Sequence, residues 1–329
     1  MVRIAVDAMG GDHAPLEIVK GAVMAAELLP EAEIVLVGDS GKLKNLLSRH
    51  KACARISIES SDEVIGMDEP PVSAVREKKK ASVNVALQLE KDKKVDAVVS
   101  AGNTGALMAA SLFKLGRIPG IERPAIATLF PAITGKVLLL DMGANVDNKP
   151  KHLRQFGEMG SVYAEHLMHV RNPKVGLLNI GEEKEKGNEL TRAAWELLKQ
   201  APINFIGNVE SKEVLSGKVD VVVCDGFVGN LVLKLSESIA SFIMSILKVE
   251  ISKSFTAKIG AVFLLPSLKR LKKKINYDEY GGAQLLGING VCVKAHGRSK
   301  ARAIMNAIRV AEESVKENLV DCIKKVETK

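Results

Sequence analysis

The strongest constraint on how this chain folds is a layout seen most clearly at Val95–Gly116. The run Val95–Val99 is short and apolar, as expected of a strand buried on both faces. It stops at Ser100. Ala101, Gly102, Asn103, Thr104 and Gly105 follow, and a helical pattern occupies Ala106–Leu115. A strand, a loop of small residues and a helix start together aim backbone N–H groups and the positive end of a helix dipole at whatever lies beyond the strand. Gly102 and Gly105 let a ligand approach the backbone, and Ser100, Asn103 and Thr104 supply side-chain hydrogen bonds. An anion such as phosphate suits that setting; a purely structural tight turn has the same pattern. The segment is neither the dinucleotide motif G-x-G-x-x-G nor a P-loop, which needs a lysine after its last glycine.

The layout returns along the chain. Val2–Val6 reads as a strand ending in Asp7, Gly10, Gly11, Asp12 and His13, with a helix from Pro15 to about Leu29. Glu33–Val37 and Arg55–Glu59 read as strands, and Val72–Lys94 as helix broken near Ala81. Ala125–Phe130 and Lys136–Leu140 flank a Thr134-Gly135 turn and predict a hairpin. Its second strand ends in Asp141, Asn145 and Asp147, followed by a long helix from Pro150. Lys174–Asn179 ends in Gly181–Gly187; Ile203–Ile206 is a short strand; Val219–Cys224 ends in Asp225–Asn230 and a long helix. Two short runs within Ala283–Val293 precede His296 and a last helix over about Ser299–Lys325.

Such alternation implies an α/β fold, three-layered, with a mainly parallel sheet. Six strands ending in loops of Gly, Asn and Asp predict one long crevice along their carboxyl ends. There is no composition break and no internal sequence repeat, so a single domain over 1–329 is expected, with a helical excursion at about 248–280.

Charge placement narrows the partners. The net charge is +8, yet from Lys248 onward there are 17 Lys/Arg against 8 Asp/Glu, while the rest holds 30 against 31. An acidic partner or an anionic surface is expected at that basic end. Aromatics make up 4% of the chain, too few for a stacking platform for nucleic acid. Cys53, Cys224, Cys292 and Cys322 are scattered and read as free thiols in a reducing cytosol. Asp7 comes too early for a signal peptide, and no uninterrupted apolar run approaches about 18 residues, so no membrane span is expected.

No G-x-S-x-G elbow is present. Cys224, beside Asp225, reads as a buried structural thiol ahead of a nucleophile. His13 and His296 sit in glycine-containing loops and read equally as ligand binders or loop anchors; His50, His152, His166 and His169 lie in helical patterns and read as surface residues. Asp7, Asp12, Asp141, Asp147 and Asp225 lack metal-ligand spacing and read as turn caps, with no metal or cofactor expected. Gly181–Gly187 holds five charges between two glycines. Glu suits a helix start there but Lys does not, so Lys184 or Lys186 either turns into the crevice or is merely solvated. Farther on, Phe255, Ile259, Val262 and Phe263 recur at helical spacing. Phe263, Leu264 and Leu265 then meet Pro266, with Lys269, Arg270, Lys272, Lys273 and Lys274 close behind. This is either a packed helix with a solvated charged end or an apolar tip with a basic collar for an anionic membrane.

Seven segments together, DAMGGDHAP, SAGNTGA, DMGANVDNKP, NIGEEKEKG, CDGFVGN, YGGAQLLG and AHGRS, resemble the PlsX family of bacterial phosphate acyltransferases, nearly end to end and in family order. The resemblance implies the Rossmann-like fold of the phosphotransacetylase and isocitrate dehydrogenase group. It also implies transfer of a long-chain fatty acyl group from the thioester of acyl carrier protein to inorganic phosphate. The acyl phosphate would feed a membrane glycerol-phosphate acyltransferase in phospholipid synthesis, and the protein would be a cytoplasmic homodimer at the membrane face. It further implies Lys184 as the catalytic lysine. Asp7, Gly10, Gly11, His13, Ser100, Gly102, Asn103, Thr104, Asn145, Asp147, Asn179, Gly181, Asp225, Asn230 and His296 would line the substrate and phosphate site. Rival readings are a coenzyme A-dependent phosphotransacetylase, a nucleotide-dependent dehydrogenase on the related fold, and a non-catalytic scaffold for carrier protein at the membrane.

Overall fold

The structure, a computed structural model, describes residues 1–50, 55–275 and 281–327, with the side chains of 269–275 and 327 left out. Its elements, in chain order, begin with β1 (Val2–Asp7), α1 (Leu16–Leu28), β2 (Ala32–Gly38), α2 (Ser40–Leu47) and β3 (Ile56–Ser60). Then come α3 (Pro71–Glu77), α4 (Ser82–Lys91), β4 (Ala97–Ser100), α5 (Thr104–Lys114), β5 (Ala125–Ala132) and β6 (Gly135–Leu140). The middle of the chain gives α6 (Pro150–Leu167), β7 (Lys174–Leu178), α7 (Glu189–Gln200), β8 (Asn204–Val209), α8 (Ser211–Ser216) and β9 (Val221–Val223). The last part gives α9 (Gly226–Lys253), α10 (Phe255–Ile275), β10 (Ala283–Leu286), β11 (Cys292–Lys294), α11 (Ala301–Lys316) and α12 (Leu319–Glu327).

The described strands form one sheet in the order β3-β2-β1-β4-β11-β10-β5-β6-β9-β7-β8. β1, β2, β3, β4 and β11 are mutually parallel, and so are β6, β9, β7 and β8. Between these blocks the chain direction changes: β10 is antiparallel to both β11 and β5, and β5 is antiparallel to β6. Three successive reversals leave the two parallel blocks pointing in opposite directions. The α/β class and the mainly parallel sheet agree with the sequence reading, as do the Thr134-Gly135 hairpin and the break between α3 and α4.

Alternation along the strands separates the core into layers. Ala5, Val37, Val98, Leu139 and Val222 face one side of the whole sheet, against Leu87, Leu107 and Val214 of α4, α5 and α8. On the other side Ile4, Leu36 and Val293 meet Ile18 and Ile304 of α1 and α11, while Leu138, Val223 and Leu177 meet Phe156, Leu198 and Ile323 of α6, α7 and α12. Each fully buried side chain of this size contributes on the order of 1.5–3 kcal/mol, and neither block has a monopoly on them. That shared core is why the blocks behave as one body despite the reversal.

Two expectations about helices are corrected. The last helix is two, because Asn318 adopts φ +50 between α11 and α12, a left-handed conformation that Asn tolerates better than most residues. The excursion starts earlier than about 248: α9 is already exposed at Leu231 (58%) and at Leu235, Ile239, Phe242, Ile246 and Val249. Continuous with that stretch, α10 returns as the second arm of a helical hairpin, with Ser254 between them. By length and composition alone α9 also passes as a membrane span, with a mean hydropathy of 1.4 over its best window. No uninterrupted apolar run predicts this, because Lys234, Glu237, Lys248 and Glu250 punctuate it.

Glu90, at the end of α4, is buried and accepts a hydrogen bond from the Val291 amide at 2.7 Å. Burial pushes its carboxyl from 4.5 up to about 8, with the Val291 N–H opposing part of the rise. The folded value exceeds the unfolded one, so the folded protein holds the extra proton between them. Stability therefore falls as pH rises through that window. Glu90→Gln keeps an acceptor for Val291 and removes the titration. Its melting temperature should gain steadily on the wild type between about pH 5 and pH 8; a constant difference would assign the slope to other groups.

Candidate functional site

The strand reversal divides the Gly/Asn/Asp loops between two edges. Those after β1 and β4, joined by the Gly297 loop after β11, share one edge of the sheet; those after β6, β9, β7 and β8 share the opposite edge. The single crevice along all six carboxyl ends is thereby corrected: a wholly parallel sheet would align them, and this one does not.

On the first edge, Asp7 is 2% exposed. Its carboxylate accepts from the hydroxyls of Ser82 at 2.5 Å and Ser100 at 2.7 Å and from the Met9 amide at 3.3 Å. The Ser100 hydroxyl oxygen in turn accepts from the Gly102 amide at 3.0 Å. Asn103 caps α5 by accepting from the Ala106 amide at 3.0 Å, and its Nδ2 donates to the carbonyls of Met67 and Glu69. The Ser100 and Asn103 side chains thus tie the loop to Asp7, Met67 and Glu69 of other segments. Gly10 and Gly102 pack against each other and Asp7, around a cavity of about 10 Å³, room for a single water. Gly11 takes φ +102 and joins the β11 loop through Asp12 N–H to the Gly297 carbonyl at 2.8 Å. The His296 Nδ1 accepts from the Arg298 amide at 3.1 Å. His13 and Thr104 are exposed.

On the second edge, Asp141 is wholly buried. It accepts from the amides of Ile126, Ala144 and Asn145 at 2.9, 3.0 and 2.8 Å and from Asn145 Nδ2 at 2.9 Å. Burial pushes its carboxyl upward, and those donors hold it back. Asn145 Nδ2 also donates to the Pro124 carbonyl. Asp225 caps α9 through the Val228 amide at 2.9 Å. Here glycine is obligatory for packing: a Cβ on Gly229 would lie 1.9 Å from the Asp141 carbonyl oxygen, and one on Gly226 2.3 Å from that of Asn145. The β6 and β9 loops thus lock together, with Asn230 against Gly143. Asn230 and Asp147 present exposed side chains. Cys224 is buried beneath; desolvation, then Asp141 and Asp225, push its thiol well up, which leaves little thiolate for nucleophilic work.

The β7 loop completes this edge. Asn179 Nδ2 donates to the Lys186 carbonyl at 3.1 Å and its Oδ1 accepts from the Ile180 amide; Gly181 is buried and Lys184 exposed. The Lys184 ammonium lies 2.6 Å from Glu196 and 4.6 Å from the centre of the Trp195 ring. In this geometry neither alternative from the sequence holds in full: the lysine is paired on the surface beside the edge.

Phe263 is 80% and Leu264 57% exposed, and Leu265 is exposed too, but they sit in the middle of α10, which continues through Pro266 instead of ending there in a tip. The side chains of Lys269, Arg270, Lys272, Lys273 and Lys274 lie outside the described residues, although their backbone belongs to α10; Cys53 lies outside them too. His152, read as a surface residue, is buried: its Nδ1 accepts from the Lys149 amide and its Nε2 lies 3.2 Å from Glu122. Sequence reasoning passed over Lys294, which ends the short apolar run of β11. It is 7% exposed, its ammonium donates to the Ala295 carbonyl, and burial pulls it down to about 8 against the attraction of Asp7 and Asp12. Trp195 and Glu196 were passed over as well; the single tryptophan of the chain, on a helix with a polar outer face, was the available signal.

Comparison with known proteins follows the same lines. A family model described as fatty acid synthesis protein matches residues 2–321. A phosphate acyltransferase of Desulfitobacterium hafniense (strain DSM 10664 / DCB-2) is 53% identical over 325 residues, 98% of this chain and 97% of that protein. One of Nostoc punctiforme is 54% identical over 317 residues, 95% of this chain and 93% of that protein. Among solved structures, a phosphotransacetylase from Streptococcus pyogenes superposes with TM-score 0.65 at 16% identity, covering 96% of this chain and 94% of that one. The EutD phosphotransacetylase from Staphylococcus aureus gives 0.61 at 14%, covering 95% and 94%. At such identities the structural likeness speaks for the fold.

The Asp141 cluster gives a stability test. Asp141→Ala removes the acceptor shared by one buried and three part-buried N–H donors and should lower unfolding free energy by about 3 kcal/mol. Asp141→Asn, which keeps one carbonyl acceptor, should recover part of that in urea titrations; equal midpoints for Ala and wild type would show the cluster to be dispensable.

Proposed function

Because the chain belongs to the fatty acid synthesis protein family, and is matched along almost its whole length by relatives named phosphate acyltransferase, we propose that it moves a fatty acyl group from the thioester of acyl carrier protein to inorganic phosphate. The observation carrying this reading is 53% identity sustained over 98% of the chain. A phosphate oxygen attacks the thioester carbon, the C–O bond forms, the C–S bond breaks, and the carrier thiol leaves with acyl phosphate as the other product. Phosphate is already nucleophilic near neutral pH, and a thiol of pKa about 8.5 leaves with little acid help, so no serine triad is required. What the protein must supply is positioning and stabilisation of the tetrahedral oxyanion, where one well-aimed donor is worth about 3 kcal/mol.

We place that step at the second edge. It presents Lys184, Asn230 and Asp147 to solvent on three neighbouring loops, braced from beneath by Asn145, Asn179 and Asp225. On the first edge the polar groups bond to one another around a 10 Å³ cavity. Acyl phosphate trapped with hydroxylamine, formed from carrier thioester and phosphate without coenzyme A, is the expected product; binding of the thioester without product would refute the reading. Lys184→Ala, at an exposed position, should fold normally and lose about 10²-fold in turnover. Near-normal turnover would remove Lys184 from the mechanism.

The hairpin gives this enzyme a place to work. Leu235, Ile239, Phe242, Ile246 and Val249 make an exposed apolar stripe along α9, which we assign to a second copy of the chain in a homodimer. Phe263, Leu264 and Leu265, exposed midway along α10 with five basic residues in the next nine positions, make a patch suited to an anionic bilayer. Basic residues near such a surface contribute about 1 kcal/mol each, less under salt. That makes a reversible, peripheral attachment, from which the acyl phosphate passes to a membrane glycerol-phosphate acyltransferase. Leu264→Glu/Leu265→Glu should abolish sedimentation with vesicles containing anionic lipid while leaving turnover in solution intact; unchanged sedimentation would exclude the patch.

A further inference from the structure

We propose that Trp195 and Glu196 are positioning residues that park the Lys184 ammonium beside the reaction edge and release it when phosphate arrives. The inference rests on the reading that Lys184 acts on phosphate.

The β7 loop is held at points on both sides of Lys184. Asn208, 6% exposed, donates through Nδ2 to the Glu183 carbonyl at 2.7 Å. Asn179 Nδ2 reaches the Lys186 carbonyl at 3.1 Å. Lys212 on α8 lies 3.1 Å from Glu182 and 3.2 Å from Glu210. With the backbone tied on either side, the mobile part is the Lys184 side chain. That side chain is engaged twice by consecutive residues of α7: its Nζ sits 2.6 Å from Glu196 Oε1 and 4.6 Å from the Trp195 centroid. The ring itself is fixed by an edge contact to Phe205, with centroids 5.9 Å apart and planes at 74°.

The strength of the two contacts suits a park, not a permanent anchor. The Lys184 and Glu196 side chains are 51% and 52% exposed, and an ion pair or cation–π contact at such exposure shifts an equilibrium by roughly two- to fivefold. A phosphate at the edge carries more charge than one carboxylate and draws the same ammonium away. Binding therefore selects the released rotamer, and each parking contact taxes phosphate affinity by its own share. The ring also keeps the lysine stem extended near the edge, so loss of the ring scatters the side chain among unproductive rotamers.

Trp195 is the only tryptophan in the chain, so its emission reports on the clamp. Inorganic phosphate, titrated in the presence of free acyl carrier protein so that no turnover occurs, should change the emission of the wild type and leave that of Lys184→Met unchanged. In kinetics, Glu196→Gln should lower the KM for phosphate roughly two- to fivefold at similar kcat. Trp195→Leu should lower both the KM for phosphate and kcat by roughly the same factor, and Trp195→Phe should restore both. A purely structural role would move melting temperature without the split between KM and kcat. If Lys184→Ala is inactive but Glu196→Gln and Trp195→Leu keep wild-type constants, the clamp is overturned and the catalytic assignment stands. If Lys184→Ala is fully active, the assignment itself fails and the clamp with it.

Discussion

Everything about where chemistry can occur in this molecule follows from three antiparallel ladders at the middle of its sheet. β10 lies antiparallel to both of its neighbours, and the β5–β6 hairpin turns the chain once more. Backbone pairing satisfies every strand either way, so the reversal costs little in hydrogen bonds. Its effect is topological: two blocks that share one hydrophobic layer deliver their carboxyl ends in opposite directions.

Each block answers with the same device. A strand ends in an aspartate with almost no exposure, Asp7 in one block and Asp141 in the other. Asp7 gathers two hydroxyls and an amide; Asp141 gathers three amides and a carboxamide. A buried carboxylate is tolerable only when its lone pairs are filled, and filling them requires the following loop to wrap around it. The loops rich in small residues are shaped by the acid at their centre as much as by any ligand above them. Gly226 and Gly229 show the reverse constraint, since the backbone comes so near the Asp141 loop that no side chain fits between.

Much of this was readable from the residues because local pattern decides it. Apolar runs bounded by Gly and Asp gave β1, β4, β6, β7 and β9, and Asp225 and Asn103 stand where helix caps should. Strand direction was not readable, because pairing partners such as Ala125 and Leu286 lie far apart in sequence. Periodicity carries no sign for parallel or antiparallel. The same blindness explains why Ser100 and Asn103 looked like ligand donors: their partners Asp7, Met67 and Glu69 come from other elements. Lys184 was singled out by motif, but its neighbours Trp195 and Glu196 become visible only once α7 folds back beside the β7 loop.

The longest helix carries one more consequence. α9, capped by Asp225 within the loops of the second edge, runs unbroken for 28 residues from Gly226 to Lys253, about 42 Å at the usual rise. A hydrogen-bonded rod of that kind resists shortening, so its two ends keep a constant separation. The loops of the second edge and the turn into α10 are therefore held a fixed span apart, and any surface the hairpin came to rest on would meet those loops at a set height.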